Sequence, residues 1–262
     1  MTMETMDIIM DLMHIAALIY LIVRSGRRIG PERQALASAF FFFAVVSLLL
    51  SDLYWITFDL LYPNTRLPLA VNEISELAAF LLLSSALNKT LREPFGDARR
   101  ELICAGFFAL AGIALWIAWT GEWLQDIVGG IAYAWFVLCS VRAAKLTGAM
   151  SRKEWCVLGI SSLLLVLGET AVFFVPEPWA KALDDACYAL MTLGTLFFLV
   201  LLVRERKRGA RPDVLLSLSC TGMAWSVSSM YMSDEPYYFI FYLGSMVMLL
   251  FMGFSYRREV AA

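Results

Sequence analysis

The chain has 262 residues, of which 60% are hydrophobic and 17% are charged, and its formal net charge is −2. Soluble domains carry about 25% charged residues, so this composition excludes an ordinary soluble globular protein and predicts an integral membrane protein. We therefore expect the lipid bilayer to be its main partner, and we expect no nucleic acid partner.

Apolar segments that are long enough to span a membrane recur along the whole chain. A hydrocarbon core of about 30 Å takes roughly 20 helical residues, and about nine segments approach that length. They cover residues 6–23, 35–62, 68–91, 101–120, 124–145, 155–175, 179–203, 214–232 and 236–256. The sequence thus predicts an all-α, polytopic membrane protein, in which the eighth segment, rich in Ser and Met, is the least certain span.

The connections between these segments alternate in charge. Most of the 21 Lys and Arg residues lie in the first, third, fifth and seventh connections and in the C-terminal tail. By the positive-inside rule, this alternation predicts an outside N-terminus and a cytoplasmic C-terminus. We expect residues 1–262 to form a single transmembrane domain, with one helix followed by four outward-pointing hairpins and no soluble domain. The expected location is the plasma membrane, with the bacterial inner membrane as the default.

The first two predicted spans carry polar residues in runs that are otherwise apolar. Asp11 and His14 are three residues apart in the first span, and Asp52 and Trp55 have the same spacing in the second, within the stretch SDLYWITFDLLYP. Residues three or four apart share one face of a helix. At a rise of 1.5 Å per residue, Asp52 is expected on the order of 15 Å below the outer turn, which is deep in the membrane.

Later spans also carry acids in their outer halves. Glu73 and Glu76 stand one turn apart in the third span, Glu169 lies in the sixth, and Asp184 lies near the start of the seventh. An Asp near the centre of a membrane helix costs about 2.5–3.5 kcal/mol to insert, so such residues normally face a polar interior. We therefore expect a shared acidic cavity that opens to the outside. The candidate ligand-binding residues are Asp11, His14, Asp52, Trp55, Glu73, Glu76, Glu169 and Asp184.

Crowded carboxylates without a cationic partner favour the binding of a cation. The first hypothesis is therefore that the protein binds or transports a small cationic solute, which is a proton, a metal ion or an organic amine. Two alternatives stay open: a ligand-sensing module that acts through a separate partner, and an intramembrane hydrolase that uses two acids as general acid and base. The acids also have a structural interpretation as interhelical hydrogen-bonding groups, and a lone His14 is more often a packing residue.

Motifs of well-known enzyme classes do not occur in the chain. It lacks the P-loop, the H-E-x-x-H zinc motif and the G-x-S-x-G nucleophile elbow, so an enzyme is the less favoured class and no cofactor is predicted. No lysine lies deep in a predicted span, which excludes a retinal Schiff base. The five cysteines show no C-x-x-C spacing, so we interpret them as small packing residues.

Overall fold

A computed structural model describes most of the chain. It covers residues 3–27, 35–61, 71–91, 103, 106–107, 110–114, 117–118, 123–234 and 236–255. Within these residues there is no strand, and eight long helices account for most of the structure. The helices are α1 Met3–Gly26, α2 Ala35–Leu61, α3 Val71–Leu91, α4 Trp123–Leu146, α5 Arg152–Val172, α6 Trp179–Lys207, α7 Pro212–Tyr231 and α8 Tyr237–Ser255. The predicted all-α class is confirmed, while half of the predicted fourth span, 101–120, lies outside the described residues.

Six of the described helices are long and apolar enough to cross a membrane. The segments that meet this criterion are Ile8–Gly26, Leu36–Phe58, Ile127–Leu146, Arg152–Val172, Trp179–Lys207 and Tyr237–Ser255. The other two helices, α3 and α7, contain more polar residues: α3 carries Glu73, Glu76 and Lys89, and α7 is rich in serine. The chain is thus an all-helical protein with several helices of membrane-spanning length and composition.

Local sequence signals set the ends of α4, α5 and α6. Ser151 and Glu154 form a capping box at the start of α5, in which the Ser151 amide donates to Glu154 Oε2 at 2.6 Å and the Glu154 amide donates to Ser151 Oγ at 3.4 Å. Gly148 after α4 and Gly209 after α6 have φ values of 64° and 73°, in the left-handed region that only glycine adopts easily. These positions make the two connections short and sharply turned.

The described helices belong to two compact units. Unit 1 comprises Met1–Ala109 and Thr120–Cys139, and unit 2 comprises Leu110–Trp119 and Ser140–Ala262. Unit 1 ends at Cys139 and the second segment of unit 2 begins at Ser140, so this division falls within α4. The expectation of a single transmembrane domain stays a prediction.

In unit 1, α2 packs against both α1 and α3. A Cβ added at Gly26 would lie 3.2 Å from the Phe42 ring, and His14 meets Asp52 further along, so α1 and α2 run antiparallel. Phe80 of α3 stacks on Phe136 of α4 with ring centroids 5.6 Å apart. These contacts place the polar residues of α1, α2 and α3 beside an aromatic and aliphatic core.

In unit 2, α6 packs against α5, α7 and α8, and the helices approach closely at glycines. A Cβ at Gly194 on α6 would overlap the Trp225 ring of α7. The Trp225 indole also donates a hydrogen bond to the Met191 carbonyl at 2.9 Å, which holds the ring across α6. A Cβ at Gly222 would lie 2.8 Å from Met248 Sδ on α8. Such close backbone approach at small residues is typical of helix packing in membranes.

The most buried helix, α7, is rich in hydroxyl groups, and the most exposed helix, α5, is apolar, which is the reverse of the pattern in soluble proteins. In α7 every residue from Leu215 to Ala224 is buried, and its hydroxyls contact neighbours: Thr221 donates to the Ser140 carbonyl at 3.2 Å. In α5, by contrast, an apolar face is exposed. Its exposed large residues are Val157, Ile160, Leu163, Leu164 and Leu167. Polar groups inside and apolar groups outside are what an apolar solvent requires.

Candidate functional site

A His–Asp contact joins the first two helices of unit 1. The Nδ1 atom of His14 on α1 lies 2.7 Å from Oδ2 of Asp52 on α2, and both side chains are largely buried. The spacing along each helix had placed both residues on polar faces, and the antiparallel packing of α1 and α2 brings those faces together. This distance is short enough for an ion pair, but the contact lacks hydrogen-bond geometry, and Asp52 Oδ2 has no hydrogen-bond partner among the described residues.

A second polar contact joins α2 to α3 one residue away. Ser51 Oγ donates a hydrogen bond to Glu76 Oε1 at 3.2 Å. Asn72 is one turn before Glu76 on α3, is buried at 8% exposure, and its Oδ1 atom has no hydrogen-bond partner among the described residues. Three helices therefore contribute carboxylate, imidazole, hydroxyl and amide groups to unit 1.

The remaining predicted site residues of unit 1 are less enclosed. Asp11 and Glu73 are half-buried and each takes part in further interactions. Trp55 is 41% exposed, so much of this residue lies at the protein surface. Within unit 1, the structure brings His14 to Asp52 and shows the Glu76 carboxylate bonded to the serine beside Asp52.

Unit 2 contains a different acidic group, centred on Glu169. Every residue of α5 is described, and Glu169 is the one that is buried, with 8% exposure. The preceding residue explains why: a Cβ at Gly168 would lie 2.5 Å from Cys187 Sγ of α6. The absence of a side chain at Gly168 lets α5 and α6 approach, and this approach encloses the neighbouring glutamate.

Three side chains act on the Glu169 carboxylate in the described part of unit 2. The Cys187 thiol lies within hydrogen-bonding reach of it, and Asp184 and Asp234 are close enough to repel it electrostatically. One carboxylate oxygen, Oε1, has no hydrogen-bond partner among the described residues. The charge at this position is therefore opposed by its surroundings rather than compensated by them.

Helix periodicity on α6 places the neighbours of Glu169 on one face. Asp184, Cys187 and Tyr188 are at positions i, i+3 and i+4. Tyr188 Oη donates to Asp234 Oδ2 at 3.4 Å, and its ring centroid lies 4.8 Å from that of Tyr237. Exposure decreases from Asp234 through Asp184 to Glu169, so the group extends from the helix ends into the protein.

Six of the eight predicted site residues thus lie in unit 1 and two in unit 2, and five of the eight belong to one of two contact groups. His14, Asp52 and Glu76 belong to the first group, and Glu169 and Asp184 belong to the second. The shared outward cavity stays a prediction. In the described parts of the chain, no group of three or more His, Cys, Asp or Glu side chains is placed to hold a metal ion.

Sequence reasoning missed five residues of these groups. Ser51, Asn72, Cys187, Tyr188 and Asp234 were not predicted as site residues. A signal existed for Cys187 and Tyr188, because they share a helix face with Asp184. For Asn72 the signal was its position one turn before Glu76. Asp234 carries no such signal, because its approach to Tyr188 depends on how the residues after α7 fold back.

The chain was also compared with known proteins. No protein-family model, no curated protein sequence and no solved structure matches it.

Proposed function

We propose that the protein binds or transports a small cationic solute at acidic positions within the membrane. The observation that carries this proposal is the meeting of polar groups from three helices in unit 1: His14 with Asp52, and Ser51 with Glu76. Burial of carboxylates at membrane depth is costly and normally coincides with an ion or substrate pathway.

The chemistry of the unit 1 groups favours a ligand that carries positive charge and donates hydrogen bonds. Asp52 and Glu76 supply carboxylate oxygens, and the unpartnered Oδ1 of Asn72 supplies a neutral acceptor one turn away. An ammonium group or a hydrated cation would satisfy these acceptors, because hydrogen bonds to ionised groups are about twice as strong as neutral ones. A proton shared along His14 and Asp52 is the smallest ligand of this class.

The same proposal includes the topology and location expected from the sequence. Unit 2 supports it through the separation of its charges. Its acidic group lies at the α5 C-terminal and α6 N-terminal ends, whereas Arg204 pairs with Glu154 at 2.8 Å at the opposite ends of these helices. We propose that the basic end faces the cytoplasm and the acidic end faces outward, in a chain of about nine spans.

A thermal-unfolding screen of the detergent-purified protein tests the proposal. The ligands are protons, by varying pH, then monovalent and divalent metal ions, and a set of small amines. The variants are Asp52→Asn and Glu76→Gln, with Asp213→Asn and Glu205→Gln as matched controls at the basic end of unit 2. A ligand at about one hundred times its dissociation constant adds roughly 2.7 kcal/mol to the free energy of unfolding.

We expect one cation to stabilise the wild type and both controls, and to have a much smaller effect on the two site variants. The proposal is refuted if no cation stabilises the wild type more than an equal ionic strength of inert salt. Equal stabilisation of the wild type, Asp52→Asn and Glu76→Gln would also refute it, because the acids of unit 1 would then have no part in binding.

A further inference from the structure

The acidic group of unit 2 contains a buried acceptor that the protein itself leaves unused. Glu169 is more than nine-tenths buried, on a helix whose other residues are all at least partly exposed. Its Oε1 atom has no hydrogen-bond partner in the described structure, and this side chain is turned towards Cys187 on α6. A buried acceptor without a partner costs about 1–3 kcal/mol, so its presence calls for an explanation such as an ion or a ligand.

The charges around Glu169 specify the sign of that ligand. Asp184 and Asp234 both repel its carboxylate, and Asp184 is itself repelled by Asp234, Asp185 and Glu177. All of these groups are acids, and the neutral group beside the Glu169 carboxylate is the Cys187 thiol. A cation placed among them would relieve several repulsions at once.

The geometry favours a cation larger than a single metal ion. Ca²⁺ and Mg²⁺ need several oxygen ligands within about 2.0–2.6 Å, and the described side chains form no such cage. The acids come instead from three separate segments, which are α5, α6 and the residues after α7. An organic ammonium ion can contact such acceptors through charge and hydrogen bonds without drawing them together into a cage.

Two aromatic rings stand beside these acids. Tyr188 bonds to Asp234 at 3.4 Å, and the centroids of the Tyr188 and Tyr237 rings are 4.8 Å apart with planes tilted by 36°. Aromatic faces beside carboxylates are the common means by which proteins bind alkylated ammonium groups, since the ring faces attract diffuse positive charge.

We propose that unit 2 contains a binding site for an organic ammonium ion, formed by Glu169, Asp184, Asp234, Tyr188 and Tyr237. The site is defined by contacts within unit 2 alone and does not depend on the groups of unit 1. The ligand enters from the exposed Asp234 at the helix ends, and its charged group reaches the Glu169 carboxylate.

Methylammonium and tetramethylammonium chloride are the probes, and sodium chloride at the same ionic strength is the reference. Binding is followed by the shift in unfolding temperature of the full-length protein across a concentration series. We expect both ammonium salts to stabilise the wild type beyond sodium chloride. Asp184→Asn removes one charge-assisted contact and should raise the apparent dissociation constant about tenfold, whereas the matched variant Asp213→Asn, at the opposite end of unit 2, should change it little.

Further variants separate the acidic and aromatic contributions. Glu169→Gln should lose most of the ammonium effect, and Tyr237→Leu should weaken binding of tetramethylammonium by roughly three- to tenfold, whereas Tyr237→Phe keeps the ring face and the affinity. Should Glu169→Gln not yield folded protein, Asp184→Asn and the Tyr237 pair still decide the question.

The inference is overturned if the ammonium salts shift the wild type no more than sodium chloride does. It is also overturned if Glu169→Gln and Asp184→Asn retain the full shift. Loss of the ammonium effect in Asp52→Asn but not in Glu169→Gln would assign the ligand to unit 1, which refutes this second site and leaves the proposed function standing.

Discussion

The buried acids of unit 1 and unit 2 differ in the side chains that surround their carboxylates. Asp52 contacts His14 and Glu76 accepts a hydrogen bond from Ser51, so each carboxylate meets a suitable partner on a neighbouring helix. Glu169 meets two other acids and a thiol. The first arrangement holds helices together even without a ligand, whereas the second costs stability until something else binds. Stability measurements alone can therefore distinguish the two.

The largest expected loss of stability is at the close contact between α6 and α7 in unit 2. Gly194→Ala places a methyl group against the Trp225 ring, and overpacking of this kind costs about 1–3 kcal/mol. Denaturant unfolding in detergent should show this loss, because close packing rather than polar pairing joins α6 to α7 at this point.

Gly159→Ala on α5 is the matched control, since a Cβ there meets nothing within 4 Å. Alanine is better than glycine in a helix by about 1 kcal/mol, so this variant should be as stable as the wild type or more stable. Equal losses in both variants would mean that the close approach at Gly194 has no energetic weight.

The His14–Asp52 contact should give the next largest effect. A double-mutant cycle with His14→Gln and Asp52→Asn should reveal a coupling of about 1 kcal/mol, in the range of polar pairs between membrane helices. The readout is the free energy of unfolding of the four proteins. A coupling indistinguishable from zero would show that the two residues are close without stabilising α1 against α2, and the contrast between the units would disappear.

Glu169→Gln should have the opposite sign. The substitution removes two like-charge repulsions, each worth roughly 0.2–0.5 kcal/mol at helix surfaces, so without ligand the variant should be about 0.5 kcal/mol more stable than the wild type. Thermal unfolding in sodium chloride measures this gain. A clear destabilisation would mean that the ionised carboxylate has a stabilising partner, and unit 2 would then resemble unit 1.

The smallest effect is expected at the basic end of unit 2. Arg204 pairs with Glu154 and Glu205 at 2.8 Å in each case, but its side chain is 38% exposed. Exposed ion pairs contribute about 0–1 kcal/mol, so Arg204→Gln should cost no more than about 0.5 kcal/mol. This difference should disappear in about 1 M salt, where the Debye length is near 3 Å. A large, salt-independent loss would show that this end is more enclosed than its exposure indicates.

Much of the fold could be predicted from hydropathy. The predicted span 35–62 corresponds to α2 at Ala35–Leu61, whereas the span predicted at 155–175 begins three residues after α5 does, because the prediction did not use the S-x-x-E capping signature at Ser151 and Glu154. The eighth predicted span was doubtful because of its serines, yet α7 is a complete helix enclosed by its neighbours. Its hydroxyls are compatible with a helix because other helices, rather than lipid, surround them.

For the candidate sites, the sequence predicted which residues share a face of one helix, but not which residues of different helices meet. Spacing identified Asp52 and Glu169 as unusual, since charged groups at such depth need a reason. It could not pair Asp52 with His14, or bring Asp234 beside Tyr188, because those contacts join segments far apart in the chain. Periodicity reports which residues share a face, and tertiary packing decides which faces meet.

The enclosure of α7 has a consequence for how the chain is made. The segment from Pro212 to Tyr231 contains many hydroxyl groups. Its transfer from the translocon into the bilayer as an isolated helix is therefore only weakly favourable in free energy. Its partners α6 and α8 are long and apolar enough to cross a membrane, and both pack against it. We expect α7 to partition into the membrane together with these neighbours, so that a nascent chain released before α8 emerges would leave this segment exposed to quality-control proteases.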